Sequence, residues 1–354
     1  QVGGQDELVF DGASFVLNAN RTLAVSAPRF EEALVMTRWQ RQGGGWVCRT
    51  GDTAPEEPDE VTAYRACVLG LRDYVLKNSF PGVVIGLSGG IDSALTAAMA
   101  VDALGADRVH CVMMPSRYTG QASLDDAAAC AAALGVRLDQ VPIEPIVAGF
   151  DASLGPLFAD MGAVDGDTTA ENIQSRARGV ILMALSNRYG AMVVTTGNKS
   201  EMSVGYATLY GDMAGGFNPL KDLYKTQVFA LSNMRNAGRP PGALGPEGEV
   251  IPRHILTKPP SAELKDNQTD QDTLPPYEEL DAILRALIEK ETSVGELVSA
   301  GHNEQTVRRV EHMLYISEYR RRQAAPGVKI SSRSFGRDRR YPITNRYRDQ
   351  EGAS

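Results

Sequence analysis

The stretch GLSGGIDSALTAAMA, residues 86–100, follows the apolar run Val83-Val84-Ile85 directly and leads into an alanine-rich segment with helical period. A short β-branched strand, a turn of glycines and serines, and then a helix aim free backbone N–H groups and the positive end of a helix dipole at one point. That order commits the region to an α/β layer and the loop to an anion, with phosphate the default guest. The spacing is neither that of a Walker A loop, since no Lys follows the glycines, nor G-x-G-x-x-G. The expected contacts are Gly86, Leu87, Ser88, Gly89, Gly90, Ile91, Asp92 and Ser93. At Gly89 the backbone is expected to touch the phosphate, so a side chain there would cost nucleotide binding more than stability. Asp92 would repel phosphate oxygens unless a divalent cation lay between them, which makes it a metal-ligand candidate. Its plainer alternative is a carboxylate capping the helix.

Periodicity past residue 60 predicts helix over 61–77, strand over 83–87, helix over 93–104, strand over 109–114, helix over 123–134 and strand over 137–142. An irregular region follows, then a long helix (ENIQSRARGVILMALSNRYG) and a buried strand (AMVVTTGN). Strand alternating with helix predicts a parallel, doubly wound sheet whose ligand crevice lies at the carboxyl ends of the strands. The loops beginning at Ser88, Pro115 and Thr196 should line that crevice. Residues 238–276 are too rich in Pro and Gly for regular structure, and helices resume over 277–290 and 304–323. Residues 1–50 alternate apolar and polar positions, as short strands of a β-rich unit with an Asn-Arg turn, and 51–60 (GDTAPEEPDE) reads as a linker.

Charge narrows the partners. Lys+Arg 36 against Asp+Glu 44 gives a net charge of -8, which argues against broad binding to nucleic acid. Cys48, Cys67, Cys111 and Cys130 show no C-x-x-C and no ligand-spaced His, so neither zinc nor a disulfide framework is expected. No apolar stretch approaches the roughly 20 residues of a membrane span, and the opening residues carry no basic and apolar leader. A cytoplasmic setting is the expectation.

Strand, GLSGGIDS, helix resembles the pyrophosphate loop of the N-type ATP pyrophosphatases, which share the adenine-nucleotide α-hydrolase-like fold and transfer AMP rather than the terminal phosphate. ENIQSRARG (171–179), TTGNKSEMSVGYATLYGDMAGGFNPLKDLYKTQV (195–228) and EYRRRQAAPGVKI (318–330) resemble the synthetase domain of the glutamine-dependent NAD synthetases. VGGQDELVFDGASFV looks like the closing part of the nitrilase-type glutaminase domain of that family. The resemblance thus implies a C-terminal glutaminase remnant over 1–50, a linker over 51–60, a synthetase domain over 61–345 and a tail over 346–354. The glutaminase Glu, Lys and nucleophilic Cys are not among residues 1–50, where Cys48 stands without a motif.

The family's chemistry is ATP-dependent amidation of deamido-NAD to NAD through an adenylate, with release of AMP and pyrophosphate. Glutamine is the nitrogen donor of the intact protein and free ammonia that of this chain. Glu201 matches the second Mg²⁺ ligand beside Asp92, its plainer alternative being a helix-start carboxylate. Thr196, Lys225 and Ser261 match ATP contacts, with Lys225 on the phosphates; strand-end packing is the alternative for Thr196 and a solvated helix face for Lys225. Asn172, Arg176, Arg178, Glu201 and Arg320 match contacts to deamido-NAD. Arg176 and Arg178 lie about 200° apart around a helix, so one should bind and the other serve structure. Arg320 stands where many members carry Lys, and Leu209 and Gly216 where ammonia-dependent relatives carry Lys and an acid. Members dimerise through this domain, so a homodimer or higher homo-oligomer is expected. Two rivals remain: a tRNA-thiolating enzyme of the same fold, to which the basic stretch from Arg320 onward would belong, and a non-catalytic nucleotide-binding module.

Overall fold

The computed structural model describes residues 1–162 and 167–345; the tail over 346–354 lies outside the described residues. The chain begins with three antiparallel hairpins: β1 (Val2–Gln5) with β2 (Leu8–Asp11), β3 (Phe15–Leu17) with β4 (Leu23–Ser26), and β5 (Trp39–Gln42) with β6 (Gly45–Cys48). Arg21 takes φ 65 in the β3–β4 turn, the Asn-Arg turn expected there. The first hairpin is tied to α1 (Asp59–Lys77): the Gly4 N–H donates to Asp73 Oδ2 at 2.7 Å, and Lys77 Nζ donates to the Gly4 carbonyl at 2.8 Å.

The centre is a parallel sheet in the order β10-β7-β8-β9, built from β7 (Val83–Gly86), β8 (Val109–Met113), β9 (Arg137–Gln140) and β10 (Met192–Val194). Helices α2 (Ile91–Leu104), α3 (Gln121–Leu134), α4 (Glu144–Met161) and α5 (Thr169–Tyr189) connect its strands. Side chains alternate across the strands. Val83, Ile85, Cys111, Met192 and Val194 pack into the larger core with α1 and α2, while Val84, Val112 and Ala191 join Ile181, Leu182 and Leu185 of α5 on the other face. With both faces covered the strands read as continuous apolar runs, and each buried Val, Leu or Ile contributes about 1.5–3 kcal/mol. Alanines 94, 97, 98, 100 and 103 let α2 lie close on the sheet, all of them at most 1% exposed.

Beyond β10 come α6 (Lys199–Val204), α7 (Lys225–Ala237), α8 (Arg253–Thr257), α9 (Tyr277–Glu289), α10 (Val294–Ser299), α11 (Glu304–Ile316) and α12 (Glu318–Arg321). Tyr224, Leu280, Leu284, Val307, Val310 and Leu314 form a second core there.

Four sequence expectations change. Residues 253–257, inside the stretch read as too rich in Pro and Gly for regular structure, form α8, whose N-cap is Pro252. Residues 144–161, read as irregular, form α4, which tolerates Pro156 in its interior. The helix expected over 304–323 breaks at Ser317, where α12 starts afresh. The last strand is shorter than AMVVTTGN: β10 ends at Val194, the Thr195 N–H turns to the Phe217 carbonyl, and Asn198 caps α6.

Candidate active site

A cavity of about 310 Å³ opens at the carboxyl ends of β7, β8 and β10, bordered by Ser88, Thr119 and Thr196 from the three loops expected to line it. The order β10-β7-β8 makes the loops after β7 and β10 leave adjacent strands, the position where open α/β sheets bind ligands.

The loop after β7 is held by its own serines. Ser88 Oγ and Ser93 Oγ lie 3.1 Å apart, Ser93 Oγ donates to the Gly90 carbonyl at 2.9 Å, and the Gly90 N–H donates to Ser88 Oγ at 3.2 Å. Helix α2 starts after Gly90 with no side-chain cap, leaving an N-terminus suited to an anion. Gly86, Leu87, Ser88, Gly90, Ile91, Asp92 and Ser93 border the cavity. Gly89 does not border it. At φ +78 its missing Cβ would lie 2.3 Å from the Ser123 carbonyl oxygen. The glycine there is required by the fold, and the expectation that a side chain would chiefly cost nucleotide binding is corrected.

Asp92 does not cap α2. Its Oδ2 lies 2.5 Å from Lys225 Nζ, and its Oδ1 accepts from Asn198 Nδ2 at 2.8 Å. Lys225 also reaches Glu201 Oε1 at 3.0 Å and sits 5.2 Å from the Tyr277 ring centroid. At 2% exposed, Lys225 is not a solvated helix face. Burial works against its charge, but Asp92 and Glu201 outweigh burial and raise its pKa. Burial and then the charge of Asp92 push the Glu201 carboxyl well above the usual carboxylate range, although Lys225 draws it back.

Asn198 carries a role the sequence reading missed. It is fully buried, accepts from the Glu201 N–H at 3.0 Å to cap α6, and donates to Asp92. The signal was present as N-K-S-E, an N-cap residue three positions before a Glu. Two converging carboxylates around a single cation are hard oxygen donors. They are of the kind that Mg²⁺ takes.

The remaining expected residues divide. Thr196 and Ser261 border the cavity; Ser261 Oγ donates to the Gln268 carbonyl at 2.5 Å and accepts from the Glu263 N–H. Arg178 borders the cavity and donates to the Met114 carbonyl at 2.9 Å, whereas Arg176 is exposed and donates to the Leu209 carbonyl at 3.2 Å. The two therefore face apart, as their spacing requires. Asn172 accepts from Thr208 Oγ1 at 2.9 Å, and Arg320 stacks on Tyr319; neither borders this cavity. Asp212, unexpected from sequence, does border it. Burial pushes its carboxyl up to about 6, against the pull of the Thr208 N–H, the Ser175 hydroxyl and Arg178.

Residues 63–324 match the family model described as NAD synthase. A glutamine-dependent NAD(+) synthetase of Rhodobacter capsulatus is 58% identical over 349 residues, covering 99% of this chain and 63% of that protein. The solved glutamine-dependent NAD+ synthetase of Acinetobacter baumannii in complex with ADP is 46% identical with a TM-score of 0.68, over 99% of this chain and 62% of that one. An NH3-dependent NAD synthetase from Campylobacter jejuni is 25% identical with a TM-score of 0.55, over 73% of this chain and 94% of that one. The chain thus spans about three fifths of the length of the glutamine-dependent relatives. The glycine-serine loop between β7 and α2, on a doubly wound sheet, lies inside the stretch the family model covers, and with that match and the 58% identical relative this chain belongs to the NAD synthase family.

Proposed function

We propose that residues 61–345 carry the ATP-dependent amidation of deamido-NAD to NAD, with release of AMP and pyrophosphate. Residues 1–50 are then the end of a glutaminase unit and 51–60 the linker. Glutamine is the nitrogen donor of the longer protein and ammonia that of these residues. The observation that carries the reading is the convergence of Asp92, Glu201 and Lys225 beside the N-terminus of α2.

The chemistry asks little of a side-chain base, because the substrate carboxylate is already an anion and ammonia already a nucleophile. Positioning and charge stabilisation are the protein's share. The N–H groups of residues 91–93 in the first turn of α2 hold the leaving pyrophosphate, Lys225 stays charged beside the phosphates, and Thr196 and Ser261 border the nucleotide. Asp92 and Glu201 would hold Mg²⁺, which when bound neutralises phosphate oxygens. Asn172, Glu201, Arg320 and one of the two arginines contact deamido-NAD; the place of Arg178 on the cavity supports it as the binder, and the Arg176 bond to the Leu209 carbonyl supports a structural role for that residue. A homodimer and a cytoplasmic setting complete the reading; the four free cysteines suit the latter.

The thiolating rival needs a basic surface for RNA. Here Arg321 and Arg322 pair with Glu318, Lys329 with Asp338 and Arg333 with Glu291, which supports a structural role for that stretch. The test is incubation with ATP, Mg²⁺, deamido-NAD and ammonium chloride. AMP and NAD in equal amounts are expected; AMP formation that depends on RNA would overturn the reading.

A further inference from the structure

Lys199 and Asp222 form an ion pair that the proposed chemistry does not use. Both are buried, at 0% and 2% exposed, with Lys199 Nζ 2.8 Å from Asp222 Oδ1. Each stands close in sequence to a site residue. Lys199 opens α6, two positions before Glu201, and Asp222 lies three positions before Lys225 at the head of α7. Two further bonds stitch the same elements: the Lys199 N–H donates to the Leu223 carbonyl at 2.8 Å, and the Lys225 N–H donates to Ser200 Oγ at 2.9 Å.

The outer half of this arrangement comes from the C-terminal segment. The N–H groups of Ile330 and Ser331 donate to Asp222 Oδ2 at 2.8 and 2.7 Å, and Ser331 Oγ reaches both carboxylate oxygens at 2.9 Å. Lys199 Nζ donates to Ser331 Oγ at 2.6 Å and to the Arg333 carbonyl at 2.8 Å. This segment lies past residue 324, where the match to the family model ends. A buried ion pair is weak evidence for stability, since desolvation offsets its attraction. What such a saturated network does well is fix geometry.

We infer that the Lys199–Asp222–Ser331 network is a positioning clamp, by which the C-terminal segment sets the separation of Glu201 and Lys225 and thereby the fit of the site to ATP with a divalent cation. The inference rests on the proposed site. Lys199, Asp222 and Ser331 are positioning residues, and none of them touches the reacting atoms.

The experiment titrates ATP by calorimetry, with and without Mg²⁺, into the whole chain and into Ser331→Ala, Ser331→Thr, Lys199→Met and Tyr64→Phe. Tyr64→Phe is the stability control, because it removes a buried 2.6 Å hydrogen bond to Asp102 outside the site. Ser331→Ala and Lys199→Met should raise the dissociation constant of ATP with Mg²⁺ about tenfold, with a change of less than about twofold when Mg²⁺ is absent. Ser331→Thr should restore the wild-type value, and Tyr64→Phe should lower the melting temperature without moving either constant. Should Lys199→Met fail to fold, the two Ser331 variants decide the matter alone. If Ser331→Ala lowers stability as the control does yet binds ATP with Mg²⁺ as wild type, the clamp is overturned. Absence of NAD formation by the wild type would instead overturn the proposed reaction, and leave the clamp to be judged by nucleotide binding.

Discussion

Lys225 Nζ lies 2.5 Å from Asp92 Oδ2 across 133 residues of chain, and the same ammonium reaches Glu201. One buried cation therefore holds together two carboxylates delivered by the loops of neighbouring strands. Lys225 offsets the charge of one carboxylate before any substrate arrives, and burial raises the pKa of the Glu201 carboxyl, which limits the excess negative charge.

Asp92→Asn should separate chemistry from folding. Lys225 keeps Glu201 as its partner and Asn198 keeps a side-chain acceptor, so the melting temperature should move little. Pyrophosphate release should fall about 10²–10³-fold, the scale of losing a group that stabilises transition-state charge. Release near the wild-type rate would remove Asp92 from the site.

Gly89 and Gly90 should respond differently to alanine. Gly89→Ala meets the Ser123 carbonyl at 2.3 Å with φ +78, so it should destabilise the protein by about 2 kcal/mol or more. Gly90 has φ -90, and its Cβ would lie 3.3 Å from Ser88 Oγ. Gly90→Ala should fold normally and weaken ATP binding by crowding the loop. Urea midpoints set beside ATP dissociation constants check the pair.

Asn198→Ala removes both a cap and a tether. Loss of the cap on α6 should cost about 1 kcal/mol of stability. Release of Asp92 should lower turnover further than that instability explains. Turnover measured well below the melting temperature distinguishes the two; unchanged turnover would reduce Asn198 to a cap.

Acid should weaken the C-terminal segment first. Burial works against the Asp338 carboxylate, but Lys329 and the Ser334 N–H and hydroxyl outweigh it and hold its pKa down to about 2. A carboxyl depressed on folding stabilises the native state above its unfolded pKa, and that contribution is lost as pH falls from about 4 to 2. After solvent screening it amounts to on the order of 1–2 kcal/mol. Asp338→Asn should flatten the fall in urea midpoint over this window, and an unchanged slope would count against the Lys329–Asp338 pair.

These 354 residues should use ammonia and not glutamine. Burial raises the Cys67 thiol well above its ordinary value and those of Cys111 and Cys130 to about 12. Cys48 is 2% exposed and donates to the Arg49 carbonyl. None offers the accessible thiolate that glutamine hydrolysis needs. NAD formation from ammonium chloride should climb as pH approaches the ammonium pKa, because only free ammonia attacks. Comparable rates from glutamine would reveal an amidase site among these residues.

Local signals account for what could be read without coordinates. The step from β-branched run to glycine turn to alanine-rich helix, and the alternation of period 2 with period 3.6, depend on neighbours a few residues apart, and they gave the parallel sheet, the glycine-serine loop at the head of α2 and the crevice beside it. Helix geometry also required Arg176 and Arg178 to face apart. Which of the two turned inward depended on α5 laying one face against the sheet. Helix α4 escaped notice because Pro156 and a run of small residues mask its period, while packing against α5 supplies what propensity lacks. The approach of Gly89 to Ser123, the Asn198 link to Asp92 and the clamp on Lys199 join residues 34, 106 and 132 positions apart. Such contacts exist only once the sheet order has brought separate loops together, and no local pattern encodes a distance between segments that the folded core alone sets.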